Sequence, residues 1–218
     1  MLSKIKTMAL EGLNGYLVEI QSDVVGGLPS FDIVGLPDMR VKEAKERVKA
    51  AIRNSGIEFP SRKIVVNLAP ADKKKEGTFF DLPIAIGILF AMDEISKLNT
   101  LNIEKTIFLG ELSLDGKISK VNGILPMCIE AKKLGIERVI VPTQNSIEAN
   151  IIKDIEIVPV GYLKEVIDFI KGNIKIENIQ YNKDINLENT NYYNVDFSEV
   201  KGQENAKRAL EIAAARIA

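Results

Sequence analysis

The sequence predicts an α/β domain of the α+β kind, on a mixed sheet. β-Branched runs at Ile64-Val65-Val66-Asn67-Leu68, Val139-Ile140-Val141-Pro142 and Ile155 to Val160 are bounded by proline, glycine and charged residues, as buried strands are. Between such runs lie segments of helical period, clearest in Val41, Ala44, Val48, Ala51 and Ile52. A chain of 218 residues with 46% apolar content can bury one large core, alone or with part of a second module.

Taken in order, Ile5 to Ala9 and Tyr16 to Gln21 alternate like strands, with Gly12, Asn14 and Gly15 supplying the turn between them. Phe31-Asp32-Ile33-Val34 is a short strand that ends at Gly35-Leu36-Pro37. Asp38 caps the helix that follows, and Gly56 ends it. Ile64 to Leu68 reads as a central strand closed by Pro70. A charged loop, Asp72 to Gly77, leads to a buried helix capped by Asp81. Thr106 to Gly110 is a strand, and Ser113 to Val121 a hairpin turning at Asp115-Gly116. A helix over Ile124 to Leu134, strands at Val139 to Pro142 and Ile155 to Val160, and a helix over Leu163 to Ile170 complete the domain.

Composition excludes several chemistries. There is no histidine and one cysteine, Cys128, so no intrachain disulfide, no thiolate zinc site and no histidine-based triad can form. A net charge of -1 gives no global pull toward nucleic acid or anionic lipid. Met1 to Lys6 has no apolar run behind it, and the longest apolar stretch, Leu82 to Met92, is too short to span a bilayer. These features predict a cytoplasmic protein with no membrane partner.

From Lys171 to Asn194 asparagine, lysine and acidic residues dominate without a period. The expected organisation is a domain over 1–172, a linker over 173–194, and the truncated start of a second module over 195–218. In that last piece Ser198 can cap a helix whose Ala206, Ala209, Leu210 and Ala213 make one apolar stripe. A lone helix of this length is marginal in water, so the stripe predicts a partner beyond it.

Asp-Phe-x-x-Val-x-Gly-Gln from Asp196, followed by Ala206 to Ala215, resembles the opening of an AAA+ ATPase core. Upstream, Phe31 to Asp38, Val66 to Asp72, Lys75-Glu76-Gly77 with Phe80 to Ala85, and Gly110 to Gly116 resemble, in register, the YifB/ComM family of magnesium-chelatase-like AAA+ proteins. The resemblance covers nearly the whole chain. It implies a Lon-protease-like, ribosomal protein S-five domain-2-like fold for the N-terminal domain, followed by the opening helix of an AAA+ module. It also implies a full-length protein that takes ATP and magnesium, assembles as a homo-hexamer, partners its own C-terminal AAA+ domain, and works on DNA as a helicase or branch-migration motor. On that pattern Gly202 and Gln203 fall on the adenine side of the nucleotide site, incomplete here because no phosphate loop follows them.

Lon-type proteases use a serine–lysine dyad, in which lysine deprotonates the attacking hydroxyl. Matching the family's turn and helix puts Phe79 at the serine position and Leu125 at the lysine position. Neither can attack or take a proton, so the domain is expected to be catalytically silent. Thr78 is the nearest hydroxyl, and Lys117 and Lys120 lie in the hairpin.

Two basic clusters are candidates for nucleic acid. The first helix carries Arg40, Lys42, Lys45, Arg47, Lys49 and Arg53, followed by Arg62 and Lys63. The second is Lys73-Lys74-Lys75, expected to stand free in its loop. Of these, Lys73, Lys74, Lys75, Arg40 and Lys63 are the nominated contacts. Because the helix charges alternate in sign, they read better as a solvated face with ion pairs of Glu46 to Lys42 or Lys49. Gly26-Gly27-Leu28-Pro29 lacks the ending of a phosphate loop and reads as a turn. Asp32, Asp38, Asp72, Glu76 and Asp81 could be imagined around magnesium, but helix capping explains Asp38 and Asp81 more simply. No metal site is expected. A protein-binding adaptor that never meets DNA is the competing function.

Overall fold

The structure, a computed structural model, describes residues 2–95, 102–176 and 199–215. The two alternating N-terminal segments pair as one long antiparallel hairpin, β1 (Leu2–Glu11) with β2 (Asn14–Val25), placing Ile5 opposite Ile20. Both strands run past the apolar alternation because their polar ends also pair: Ser3 lies opposite Ser22, and both are buried. Gly15, expected in the turn, belongs to β2.

β3 (Ser30–Val34), α1 (Met39–Asn54) and β4 (Lys63–Ala69) form a parallel β-α-β unit. Asp38 caps α1 as expected, accepting the Val41 N–H at 2.8 Å. The five residues of the expected inner face are all fully buried. β4 is flanked on both sides but is next to the edge, with β3 outside it. Nothing local in a strand reports its rank in a sheet.

α2 (Asp81–Ala91) is buried along its whole length and packs on β1 and β2. It meets the hairpin at Gly87, whose carbonyl accepts the Ser3 hydroxyl at 2.6 Å. A β-carbon there would stand 2.6 Å from Ser22 Oγ, so glycine, not helix propensity, sets this crossing.

β5 (Thr106–Phe108) leads into a small hairpin of β6 (Glu111–Leu112) and β7 (Ile118–Ser119). Then come α3 (Ile124–Lys133), β8 (Arg138–Pro142), a short α4 (Ser146–Ala149), β9 (Glu156–Val160) and α5 (Leu163–Ile170). The seven-stranded sheet runs β3-β4-β2-β1-β5-β8-β9. Only β1–β2 and β2–β4 are antiparallel, so the sheet is mixed, as the sequence predicts.

The chain divides into two units, Met1–Tyr181 and Asn182–Ala218. In the second, α6 (Glu204–Ala215) forms over the expected apolar stripe, and none of its residues is buried. Ser198, Asp196, Phe197 and nearly all of the expected linker lie outside the described residues. Among the described residues no helix is long and apolar enough to cross a membrane.

Candidate functional site

Phe79, matched by resemblance to the serine of a Lon-type protease, lies in the turn that opens α2. It is 8% exposed, with its ring 4.6 Å from that of Phe80 and laid against Gly77. Its carbonyl accepts the Gly110 N–H at 3.2 Å, and the Leu82 N–H returns to the Gly110 carbonyl at 3.0 Å. The turn is thus pinned beside the end of β5. Leu125 lies in the first turn of α3, where its N–H donates to Glu148 Oε1 at 3.0 Å. Glu148 comes from α4, an element too short to show a period in the sequence.

The neighbouring hydroxyl has a different partner. Thr78 donates to Glu111 Oε2 at 2.5 Å, so its hydroxyl is paired with a carboxylate and not with the lysine of a serine–lysine dyad. The Cys128 thiol is buried in α3, and burial pushes it up to about 12, so it stays protonated. Among the described residues no hydroxyl or thiol here is paired with a lysine.

Asp81 does not cap α2. Phe80 occupies the cap position, and the Asp81 carboxylate turns inward to a partner on α1. Arg47 donates to it through Nε at 2.6 Å and Nη2 at 3.0 Å, and the Leu112 N–H adds a third bond at 3.1 Å. Arg47 Nη2 also donates to the Arg40 carbonyl at 3.0 Å. One buried ion pair therefore ties α1, α2 and β6 together. Burial raises the Asp81 carboxyl to about 6, against the lowering effect of Arg47 and of the Leu112 N–H.

The lysine run is not a free loop. Lys75 is fully buried, and its ammonium donates to the carbonyls of Pro70 and, at 2.7 Å, of Lys73. Its backbone docks the preceding turn, donating to the Leu36 carbonyl at 3.1 Å and accepting the Asp38 N–H at 2.9 Å. Desolvation lowers the Lys75 ammonium, with Asp72 opposing it. Lys73 pairs with Glu11 at 2.7 Å and lies 4.5 Å over the Tyr16 ring. Lys74 pairs with Glu76 at 2.6 Å, and its carbonyl accepts the Tyr16 hydroxyl at 3.1 Å. Lys75 is buried under the loop and Lys73 lies over Tyr16 of β2, while the Lys74 side chain stays exposed in its pair with Glu76.

Arg40 is exposed in the first turn of α1, and Lys63 is exposed at the start of β4. The expected Glu46 pairs with Lys42 or Lys49 do not form among the described residues. The helix pair that does form is Arg47 with Glu43, at 4.0 Å. In the second unit Gly202 and Gln203 are exposed, both with positive φ (71° and 61°), immediately before α6. Gln203 supplies the carbonyl that accepts the Lys207 N–H at 3.0 Å. Two exposed backbone positions do not build a nucleotide site, and no nucleotide chemistry can be derived from the residues present. Among the described residues no group of three potential ligands could hold a metal ion.

The family described as subunit ChlI of Mg-chelatase matches residues 20–145, more than half of the chain. The chain belongs to that family. This ChlI-family chain is 38% identical over 217 residues to the Competence protein ComM of Haemophilus influenzae, covering 98% of this chain and 42% of that protein. It is 38% identical over 214 residues to the uncharacterized protein YifB of Salmonella typhimurium, covering 98% and 41%. It is also 30% identical over 204 residues to Lon protease 2 of Bacillus subtilis, covering 84% and 36%. The chain thus spans 42% or less of the length of these relatives. The ChlI match falls wholly within the first unit, whose mixed α/β fold is Lon-protease-like. ComM and YifB resemblance, read from the four motifs, is thereby confirmed.

Proposed function

We propose that this chain is the non-proteolytic N-terminal part of an ATP-driven DNA motor of ComM type, a helicase or branch-migration machine. The reading is supported by a Lon-like scaffold in a chain similar along 98% of its length to a competence protein. On the family matching of Phe79 and Leu125, apolar side chains would stand where a Lon-type protease carries its serine and lysine. The full-length protein would work in the cytoplasm as a homo-hexamer, binding ATP and magnesium through a module following the one described. The first unit would arrange subunits or guide DNA, and Gly202 and Gln203 would lie at the edge of the nucleotide site.

The experiment is ATP hydrolysis by the full-length gene product with and without single-stranded and branched DNA. Stimulation of several-fold or more by DNA is expected. Hydrolysis indifferent to every DNA tested contradicts the motor and favours an adaptor that presents protein partners.

A further inference from the structure

Lys75 is buried, and Lys73 and Lys74 each have a carboxylate partner at the surface. α1 presents Lys45, Lys49 and Arg53 at successive intervals of four residues, one per turn along a single face. Arg62 lies in the segment just before β4. Together they line a cavity of about 290 Å³ beside the start of β3. Half-buried Phe31 belongs to its lining, with Phe59 at a ring-centroid distance of 5.9 Å. Lys45 meets Asp32 at 3.6 Å. Lys49, Arg53 and Arg62 have no carboxylate partner among the described residues, and Glu46 is the single acid in the lining. Lys63 continues the basic edge, in register with Ser30 across the β3–β4 pair.

We infer that this groove binds single-stranded DNA, holding the backbone between the α1 cations and Arg62 and offering Phe31 to a base. The inference rests on the DNA reading above and deepens it by naming the surface and the strand state. Cations spaced along a groove match the charge of a phosphodiester chain, and an aromatic face among them accepts any base in stacking. A duplex keeps its bases paired and would meet only the protruding charges. Because the whole chain carries a net charge of -1, the attraction has to be local, and this is where unpaired cations converge.

The test is fluorescence anisotropy of a labelled oligothymidylate with the 218-residue chain across a salt series. The triple variant Lys49→Gln, Arg53→Gln, Arg62→Gln is expected to bind at least ~30-fold more weakly and to flatten the slope of log K against log salt by about 2. Phe31→Leu should weaken binding several-fold and leave that slope unchanged, because stacking releases no counterions. Lys73→Gln with Lys74→Gln should change little. Circular dichroism checks that each variant folds, above all Phe31→Leu, whose half-buried ring packs against Phe59. A triple variant that binds like the parent overturns the groove, as does equal binding of duplex that ignores Phe31→Leu. Poly-glutamate competing as well as DNA also overturns it, in favour of an acidic protein partner. A parent chain that binds no single strand overturns the groove even if DNA stimulates the full-length ATPase. The motor reading itself fails only if that stimulation is missing as well.

Discussion

Replacing Arg47 by methionine is expected to cost about 3–5 kcal/mol of folding stability at pH 8 and distinctly less at pH 5. The variant leaves the Asp81 carboxylate buried among α1, α2 and β6 with the Leu112 N–H as its remaining donor and Glu111 nearby. Deprived of the guanidinium, the acid is pushed higher than its native value of about 6. At pH 5 it takes up a proton and the unpaired charge disappears. The native protein shows the same sign in milder form. Asp81 binds its proton more tightly folded than unfolded, so its contribution to stability is most favourable below about 3.8. That contribution falls as pH rises through about 6, by at most roughly 3 kcal/mol. Urea unfolding midpoints at the two pH values read this directly. Adding Asp81→Asn to the Arg47 variant should recover most of the loss at pH 8 and abolish its pH dependence. A loss of equal size at both pH values would mean that Arg47 acts through packing alone.

Gly35→Ala is expected to be comparably severe, by about 3 kcal/mol or more. Gly35 has φ of +95°, and a β-carbon there would lie 2.3 Å from the Leu68 carbonyl oxygen and 2.9 Å from its nitrogen. Both are backbone atoms of β4, which cannot rotate away as a side chain would. The next residue, Leu36, also has positive φ, at 56°, and receives the Lys75 N–H. The substitution therefore forces apart β4 and the turn that Lys75 clasps. Thermal unfolding should show a lower midpoint and hydrogen exchange faster protection loss in 70–76. Unchanged stability would mean that this turn has slack that its geometry does not show.

These two sites illustrate what a sequence can and cannot reveal here. Period and capping are local, so the inner face of α1, its Asp38 cap and the span of α5 are legible residue by residue. Arg47 and Asp81 are 34 positions apart, and no spacing rule reports that they meet. Asp81 therefore reads as a helix cap from its position alone. A run of three lysines reads as solvated because lysine almost never lies buried, and the carbonyls of Pro70 and Lys73 that make Lys75 an exception carry no side-chain signal. Asn145 is missed for the same reason. It is fully buried and holds the segment before α3 by exchanging bonds with Val121 at 3.0 and 2.8 Å. The basic groove is half legible. Its α1 cations show their four-residue spacing, but Phe31, Phe59 and Arg62 join them only through the β3–β4 pairing.

The proposed function holds that a Lon-like scaffold has been kept without its peptide-cutting chemistry. It is tested most directly by incubating the full-length gene product, with ATP, against an unfolded protein substrate and a serine/threonine-reactive phosphonate probe. No peptide-bond hydrolysis and no labelled residue between 77 and 81 are expected, because Phe79 has no nucleophile and Thr78 is bonded to Glu111. Labelling of Thr78, or ATP-dependent cleavage lost in Thr78→Val, would contradict it.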